Sequence, residues 1–222
     1  MRTVPLLLGH RGTRGNPSVP ENTLAAFDLA LAQGCDGFEF DVRLDADGQA
    51  GICHNARVRG LEVAMCCYQK LGLPRLRDVL QRYHKEAFLD IELKVEGLER
   101  STLDLLHEYP PARGYVVSSF LPEVLKTIHS FDATASLGLI CDKQSQFSLW
   151  PAFPVEYLVL HHKLARRNVI AQLQAEHRKV LVWTVNSVAD MMRFAEWKVD
   201  GIISDHPKKL AATLGETLTT QK

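Results

Sequence analysis

Eight short apolar runs, rich in Val, Ile, Leu and Phe, recur along the chain and alternate with amphipathic segments. Such runs are typical of buried strands, while a 3.6-residue apolar period, as over Thr23–Gln33, predicts a helix. Alternating strands and helices predict a parallel sheet covered by helices. The predicted strands are Val4–Gly9, Gly37–Arg43, Ala87–Leu93, Tyr115–Phe120, Ala135–Cys141, Glu156–His161, Val180–Val185 and Gly201–Ser204.

The number of repeats favours a closed barrel. The 222 residues give about 28 residues for each of eight strand–helix units, and (β/α)8 barrels run from about 200 residues upward. The alternative, an open doubly wound sheet, favours a G-x-G-x-x-G turn after the first strand, and the sequence has none there. Since no linker interrupts the chain, we predict an α/β fold, a single-domain (β/α)8 TIM barrel over residues 1–222.

Charge and composition restrict the possible partners. Lys plus Arg and Asp plus Glu each number 26, so the basic excess of a nucleic-acid-binding protein is absent from the sequence. No apolar run nears the roughly 18–20 residues of a transmembrane helix, and Val4–Leu8 is shorter than a signal-peptide core of about 7–15 residues. The five cysteines are scattered, as in reduced cytoplasmic proteins. We expect a cytoplasmic protein with a small-molecule substrate; the oligomeric state stays open.

One segment, directly after the second strand, breaks the alternation. The connection from Arg43 to His54 is too short for a parallel crossover and must form a hairpin, and Asp47-Gly48 is a strong two-residue turn signal. With that turn the numbers of paired residues sum to 95, which places Asp41 opposite His54 with Cβ atoms about 4.5–5.5 Å apart. A longer turn would shift this pairing. We predict an extra hairpin strand at this point.

Polar side chains cluster where the predicted strands end. In a (β/α)8 barrel, chemistry collects at the C-terminal ends of the strands. The polar strand ends are Gly9-His10-Arg11-Gly12, Glu39-Phe40-Asp41, Glu92-Leu93-Lys94, Ser118-Ser119-Phe120, His161-His162-Lys163, Trp183-Thr184-Val185-Asn186 and Ser204-Asp205-His206. We expect these segments to meet at one mouth of the barrel.

Three carboxylates among these residues suggest a metal site. Glu39 and Asp41 are two residues apart and point to one face of a strand. Two like charges on one face repel unless a cation lies between them, and Glu92 on the next strand supplies a third carboxylate. An all-oxygen set suits one divalent cation, Mg²⁺ or Ca²⁺, better than Zn²⁺. The alternative is that nearby arginine and lysine side chains simply pair with these acids.

Two histidines and two cations complete the predicted chemistry. His10 and His54 are candidate proton carriers, because imidazole titrates near neutral pH, although a lone histidine at a strand end is more often structural. Arg11 and Lys94 supply the positive charge that a phosphate group requires. Together with the carboxylates, these residues indicate metal-assisted attack on a phosphodiester.

Three further residues have open interpretations. Trp183 is either a wall of the binding site or part of the core. Asp205 is expected to cap the last helix, and Asn22 is a plausible N-cap of the first helix. These expectations rest on local sequence alone.

The ordered motifs resemble those of the glycerophosphodiester phosphodiesterases. The resemblance runs from about residue 8 to residue 207. The motifs that carry it are Gly9-His10-Arg11-Gly12, Pro20-Glu21-Asn22-Thr23, Glu39-Phe40-Asp41-Val42, His54, Glu92-Leu93-Lys94, Ser118-Ser119-Phe120, Trp183-Thr184-Val185-Asn186 and Val199-Asp200-Gly201-Ile202-Ile203-Ser204-Asp205.

The resemblance implies a (β/α)8 barrel that splits a glycerophosphodiester into glycerol 3-phosphate and an alcohol. It implies that the substrate's own 2-hydroxyl attacks phosphorus, and that water then opens the cyclic phosphate. The implied roles are metal binding by Glu39, Asp41 and Glu92, general acid–base catalysis by His10 and His54, phosphate binding by Arg11 and Lys94, ordering of the site by Glu21, and further substrate contacts by Ser119 and Trp183.

One departure from the family pattern bears on the activity. Asn55 follows the second histidine where the family usually has aspartate, and an amide holds a neighbouring imidazole less strongly than a carboxylate does. Two alternatives to the glycerophosphodiester activity stay open, and Asn55 motivates the second of them. One is a lysophospholipase D-type activity, which would need an apolar rim near Leu61–Leu73 and Phe147–Phe153. The other is a non-catalytic barrel that binds a phosphorylated metabolite.

Overall fold

Eight parallel strands close into a barrel. The computed structural model describes residues 4–215, so residues 1–3 and 216–222 of the predicted domain lie outside the described residues. The strands in chain order are β1 (Leu6–His10), β2 (Gly37–Leu44), β3 (Ala50–Ile52), β4 (Arg57–Val58), β5 (Leu61–Glu62), β6 (Phe88–Leu93), β7 (Tyr115–Ser119), β8 (Leu137–Cys141), β9 (Tyr157–His161), β10 (Lys179–Trp183) and β11 (Gly201–Ser204). Strand β1 pairs with both β2 and β11, and this pairing closes the sheet in the order β1-β2-β6-β7-β8-β9-β10-β11.

Helices connect the barrel strands and cover their outer face. They are α1 (Leu24–Ala32), α2 (Tyr68–Leu71), α3 (Leu76–Tyr83), α4 (Glu99–Glu108), α5 (Pro122–Phe131), α6 (Gln144–Phe147), α7 (Arg167–Ala175), α8 (Val188–Glu196) and α9 (Pro207–Gly215). Among residues 4–215, no helix has the length and apolar character that a membrane crossing needs.

The predicted (β/α)8 barrel with an extra strand after strand two is confirmed. All eight barrel strands lie within two residues of their predicted bounds. The sequence analysis missed the β4–β5 hairpin and the short helices α2 and α6, because two- to four-residue elements carry almost no periodic signal.

The side chains of the barrel strands alternate between two cores. On β2, Phe38 and Phe40 join the large core between the sheet and the helices, where Phe27 of α1 stacks on Phe38 with ring centroids 4.2 Å apart. Glu39 and Asp41, which alternate with them along the strand, therefore face the barrel lumen. The lower lumen is filled by an apolar cluster of Leu8, Phe88, Val116, Ile140, Tyr157, Val159, Leu181 and Ile203.

The extra strand is present, but its predicted register is wrong by one residue. The paired residues of β2 and β3 sum to 94, as in Val42 with Ile52, so Asp41 lies opposite Cys53 rather than His54. The cause is a longer turn. The Asp45 carboxylate accepts hydrogen bonds from the backbone N–H groups of Asp47 and Gln49, and this fixes one more residue in the loop than a two-residue turn holds.

Candidate active site

The three carboxylates predicted to bind a metal lie together at the mouth of the lumen. Glu39 and Asp41 share one face of β2, and the parallel register of β2 and β6 places Glu92 beside Asp41. One oxygen of each side chain lies within 4.8 Å of an oxygen of each of the others. None of the three residues is more than 7% exposed, so these charges interact in a poorly solvated space.

Two positively charged side chains, those of Lys94 and Arg11, contact this acidic cluster. Lys94 Nζ lies 2.6 Å from Glu92 Oε1 and 3.3 Å from Asp41 Oδ1. Arg11 Nε lies 3.1 Å from Asp41 Oδ2, and the Arg11 backbone N–H donates to Glu39 Oε2 at 2.9 Å. Arg11 adopts a φ of 49°, a left-handed conformation that is uncommon for a residue other than glycine. This conformation lets the backbone and the guanidinium of one residue both contact the acids.

Burial and mutual repulsion set the protonation of the cluster. Burial, followed by the charges of Asp41 and Glu92, raises the pKa of Glu39 well above its ordinary value. Burial and Asp41 also raise the pKa of Glu92 to about 8, although Lys94 opposes this shift. For Asp41 itself burial acts in the same direction, but Lys94 and Arg11 outweigh it and lower the pKa. Without a bound cation, Glu92 therefore retains its proton near neutral pH, and the shift at Glu39 favours its protonated form in the same way.

The donor set fits a divalent cation. Glu39 Oε1 and Asp41 Oδ1 are buried and have no hydrogen-bond partner among the described residues, apart from the ionic contact of Asp41 with Lys94. Buried oxygens of this kind are costly unless a partner compensates them. Since all three side chains offer hard oxygen ligands, Mg²⁺ or Ca²⁺ matches them in chemistry.

His10 is held by a partly buried carboxylate, Asp205, whose position in the sequence had suggested a helix cap instead. His10 Nδ1 lies 2.7 Å from Asp205 Oδ1, and His10 Nε2 lies 3.8 Å from Glu39 Oε2. The other oxygen of Asp205 accepts from Asn186 Nδ2 at 2.7 Å. Burial opposes ionisation of Asp205, but the hydrogen bond and charge of His10 lower its pKa, so it stays a carboxylate. His10 Nδ1 therefore bears a proton, and Nε2, the nitrogen left for proton transfer, faces the acidic cluster.

His54 has a neutral partner instead. Its Nδ1 lies 2.9 Å from Asn55 Oδ1, so the Nδ1–H donates to the amide oxygen. Burial lowers the pKa of His54, and the Asn55 hydrogen bond and the Asp41 charge do not fully offset it. At neutral pH this imidazole is uncharged, with its Nε2 lone pair available.

One cavity of about 140 Å³ joins these groups. Its polar side carries both histidines and the charged residues of β1, β2 and β6. Its other side is an apolar wall. The lining residues are His10, Arg11, Glu39, His54, Asp90, Glu92, Lys94, Phe120, Ile140, Val159, Trp183 and Ile203.

The remaining predicted site residues lie at different distances from the cavity. Trp183 lines the apolar wall, and its indole Nε1 donates to the Val159 carbonyl at 3.1 Å. Glu21 lies behind Arg11, whose Nη1 donates to Glu21 Oε1 at 2.8 Å. Ser119 is fully buried outside the cavity lining, where its hydroxyl donates to the Leu93 carbonyl at 2.8 Å.

Two polar residues at the site were expected to act as helix caps. Asp205 contacts His10 and Asn186 instead of a helix backbone. The N-cap of α1 is Thr23, whereas the Asn22 amide donates to Asp41 Oδ2 at 2.9 Å. Asn22 has a φ of 58°, which turns it toward the barrel. The place of Asp205 at a strand end was a signal, but the partners of both residues lie too far along the chain for local patterns to show.

Solved structures share this architecture. A glycerophosphodiester phosphodiesterase from Parabacteroides distasonis superposes with a TM-score of 0.86 and 21% identity, over 98% of this chain and 100% of that chain. A phosphodiesterase from Oleispira antarctica, solved in complex with the product sn-glycerol-3-phosphate, superposes with a TM-score of 0.83 and 23% identity, over 96% of this chain and 97% of that chain. Carboxylates, imidazoles and the positively charged side chains of Arg11 and Lys94 surround one cavity. The chain is a phosphoric diester hydrolase on a (β/α)8 barrel.

Sequence comparison identifies the family. The model of the glycerophosphoryl diester phosphodiesterase family matches residues 10–103 and 72–209. A glycerophosphodiester phosphodiesterase of Caldanaerobacter subterraneus is 29% identical over 92% of this chain and 96% of the relative's length. The chain belongs to the glycerophosphoryl diester phosphodiesterase family, as its motifs predicted.

Proposed function

We propose that this protein hydrolyses glycerophosphodiesters to glycerol 3-phosphate and an alcohol, with one bound divalent cation and with His10 and His54 as general acid and base. The observation that carries the proposal is the position of both imidazoles in the cavity that the carboxylates Glu39 and Glu92 also line. Phosphoryl transfer needs proton carriers on the attacking and leaving oxygens, and positive charge on the phosphate.

The partners of the two histidines support a division of roles. Neutral His54 can take the proton of the attacking 2-hydroxyl at Nε2, because its Nδ1 already bears the proton donated to Asn55. His10 is fixed by Asp205, whose negative charge stabilises an imidazolium, so His10 can give its Nε2 proton to the leaving alkoxide. The roles then exchange when water opens the cyclic phosphate.

The charged residues of the polar side would hold the phosphate. Arg11 and Lys94 lie against the acidic cluster and leave room for a phosphate next to it. Glu21 holds the Arg11 guanidinium from behind. A cation bound by Glu39, Asp41 and Glu92 would neutralise charge on the phosphoryl oxygens and lower the pKa of the attacking hydroxyl.

The proposed hydrolysis takes two steps, and in each step one bond to phosphorus forms and one breaks. In the first step the 2-hydroxyl oxygen forms a bond to phosphorus and the bond from phosphorus to the leaving oxygen breaks. The hydroxyl proton passes to His54, and His10 protonates the departing alkoxide, which becomes the alcohol. In the second step water adds to phosphorus and the bond to the 2-oxygen breaks, which leaves glycerol 3-phosphate. The intramolecular attack also gains from proximity.

A product assay tests this function. The protein, stripped of metal by a chelator, is incubated with glycerophosphoglycerol, glycerophosphoinositol or glycerophosphocholine, with Mg²⁺, Ca²⁺, Mn²⁺ or no cation. We expect release of glycerol 3-phosphate from at least one substrate only when a cation is added. No release under any condition, or full release in the presence of chelator, contradicts the proposal.

Exposed apolar residues near the barrel mouth favour a second candidate, a lysophospholipase D-type activity. Leu61, Met65 and Leu149 are 38%, 74% and 46% exposed, and all three lie in the segments named above as a possible rim. Such residues could contact an acyl chain that extends out of the cavity. Comparing kcat/KM for glycerophosphocholine and an acylated analogue decides between the two candidate functions. A higher value for the acylated substrate favours the lysophospholipase D-type activity.

A further inference from the structure

His161 lies at the mouth of the barrel, on the wall across from the acidic cluster. It ends β9 and pairs in register with Trp183 at the end of β10. Tyr157 and Val159, four and two residues before it, pack in the lumen, so the period of two along a strand turns His161 toward the lumen as well. In the order of the barrel, β9 lies opposite β2, which carries Glu39.

The hydrogen bonding of His161 determines which of its ring nitrogens carries the proton. Its Nδ1 accepts a hydrogen bond from the backbone N–H of Lys163 at 3.3 Å, which places the proton on Nε2. No residue in the described part of the chain accepts from that Nε2–H. Burial, with the charges of His162 and Lys163, lowers the pKa of His161, so the ring is neutral at pH 7. His161 itself does not line the cavity, but it presents one uncommitted donor next to Trp183, which does.

Aromatic rings connect His161 to the cavity wall. Its ring centroid lies 5.2 Å from that of Trp183, edge to face at 86°, and Trp183 lies 5.8 Å from Phe120 at 83°. The Trp183 N–H is occupied by the Val159 carbonyl. The wall thus offers flat apolar surfaces for C–H groups and, at its end, the imidazole donor.

The charges on this wall disfavour a cationic group. No carboxylate lines the cavity on β7–β11, and Asp142, whose charge acts on His161, is exposed at the end of β8. Lys94 Nζ lies 5.6 Å from the centroid of Phe120, where a ligand cation would otherwise stack. A quaternary ammonium would therefore meet like charge, whereas a hydroxyl oxygen can accept from His161 Nε2.

We propose that His161 is a specificity-determining residue that donates a hydrogen bond to a hydroxyl of the substrate's alcohol, and that the enzyme prefers uncharged polyol alcohols to quaternary ammonium alcohols. This proposal rests on the proposed hydrolysis of glycerophosphodiesters. The phosphate is held on the side of β1, β2 and β6. The alcohol group esterified to it therefore extends across the cavity toward β9 and β10, where Trp183 can pack on its carbon atoms.

The test compares kcat/KM for glycerophosphoglycerol, glycerophosphoinositol and glycerophosphocholine. We expect the wild type to favour the two polyol substrates. His161→Leu should lower kcat/KM for the polyols by about 3- to 10-fold, the usual effect of one neutral hydrogen bond, and change the value for the choline substrate by less than about 2-fold. His161→Gln keeps an N–H near the Nε2 position and should restore most of the preference. His107→Leu, on exposed α4, serves as the matched control.

Each outcome has a distinct meaning. Wild-type preference for choline, or an equal loss on all three substrates in a folded His161→Leu protein, overturns the inference. If thermal melting shows that His161→Leu does not fold, then His161→Gln decides: loss of the polyol preference in that folded variant overturns the inference, and retention supports it. Absence of wild-type turnover on all substrates with every cation rejects the proposed function instead.

Discussion

At the residue scale, the two imidazoles of the cavity differ in what holds them. His10 donates to a carboxylate, Asp205, and His54 donates to an amide, Asn55. A carboxylate stabilises a charged imidazole, while an amide only orients it. In the proposed mechanism this difference suits His10 to donate a proton first and His54 to accept one.

Removing one carboxylate of the acidic cluster tests the proposed cation site. Glu92→Gln keeps the shape of the side chain but removes its charge, so we expect kcat/KM to fall by at least about 100-fold with an unchanged circular dichroism spectrum. Glu123→Gln, on the surface of α5, is the control and should retain full activity. Full activity in Glu92→Gln would show that the cation, if required, binds elsewhere.

Asp205 acts through His10 and is a positioning residue. Asp205→Asn leaves a hydrogen-bond acceptor but removes the charge, so we expect kcat to fall by about 10- to 100-fold while KM changes little. A merely structural role would lower the melting temperature and leave kcat of the folded fraction intact. Steady-state kinetics and a thermal melt of the same sample separate these two results.

Asn55→Asp reverses the departure from the family pattern. A carboxylate at this position adds negative charge beside His54 and should raise its pKa, which burial lowers in the wild type. Because the base must be neutral, the acid limb of the kcat/KM profile should move to higher pH. Rates measured from pH 5 to pH 9 check this, and an unmoved limb would mean that His54 is not the base.

At the element scale, the β2–β3 turn sets where His54 lies. Asp45 is buried, and its carboxylate accepts from the backbone N–H groups of Asp47, Gln49 and Tyr68. One side chain therefore ties the turn to the start of α2. The position of His54, just beyond β3, depends on this tie as well as on the pairing of β3 with β2.

Asp45→Ala would leave these N–H groups without their acceptor. We expect a loss of about 2–3 kcal/mol in the free energy of unfolding, and a lower kcat because His54 loses its fixed position. Urea unfolding and steady-state kinetics measure the two effects. Asp47→Ala removes an exposed carboxylate from the same turn and should change neither.

At the scale of the whole molecule, burying several carboxyl groups in one barrel makes the free energy of unfolding depend on pH. Folding raises the pKa of Glu39 and raises that of Glu92 to about 8. A raised carboxyl pKa means that the folded state binds protons more tightly than the unfolded state, so stability falls as pH rises from the unfolded pKa to the folded one.

The cation-free protein should therefore melt several degrees lower at pH 8 than at pH 5.5. Added Mg²⁺ or Ca²⁺ should raise the melting temperature, and raise it more at pH 8, because protons no longer compete for the glutamates. Differential scanning calorimetry with and without cation measures this. In Glu92→Gln both the pH dependence and the effect of the cation should shrink; if they persist at full size, other groups are responsible.

The sequence by itself determined the barrel and the residues at its mouth. The alternation of apolar strands and amphipathic helices is a local, periodic signal, and parallel strands bring their C-terminal ends to one rim whatever the details of packing. For this reason His10, Glu39, Asp41, Glu92 and Lys94 could be predicted to share a site. His54 was predicted to join them from a hairpin register that the structure shifts by one residue.

Only the tertiary structure decided which of these groups touch. His10 and Asp205 are 195 residues apart and meet because β1 pairs with β11 to close the barrel. The register of β2 and β3 depended on one buried carboxylate in the turn, Asp45. A hydrogen bond reaches about 3 Å, so its partners follow from the folded positions of distant segments, which no local period of the sequence contains.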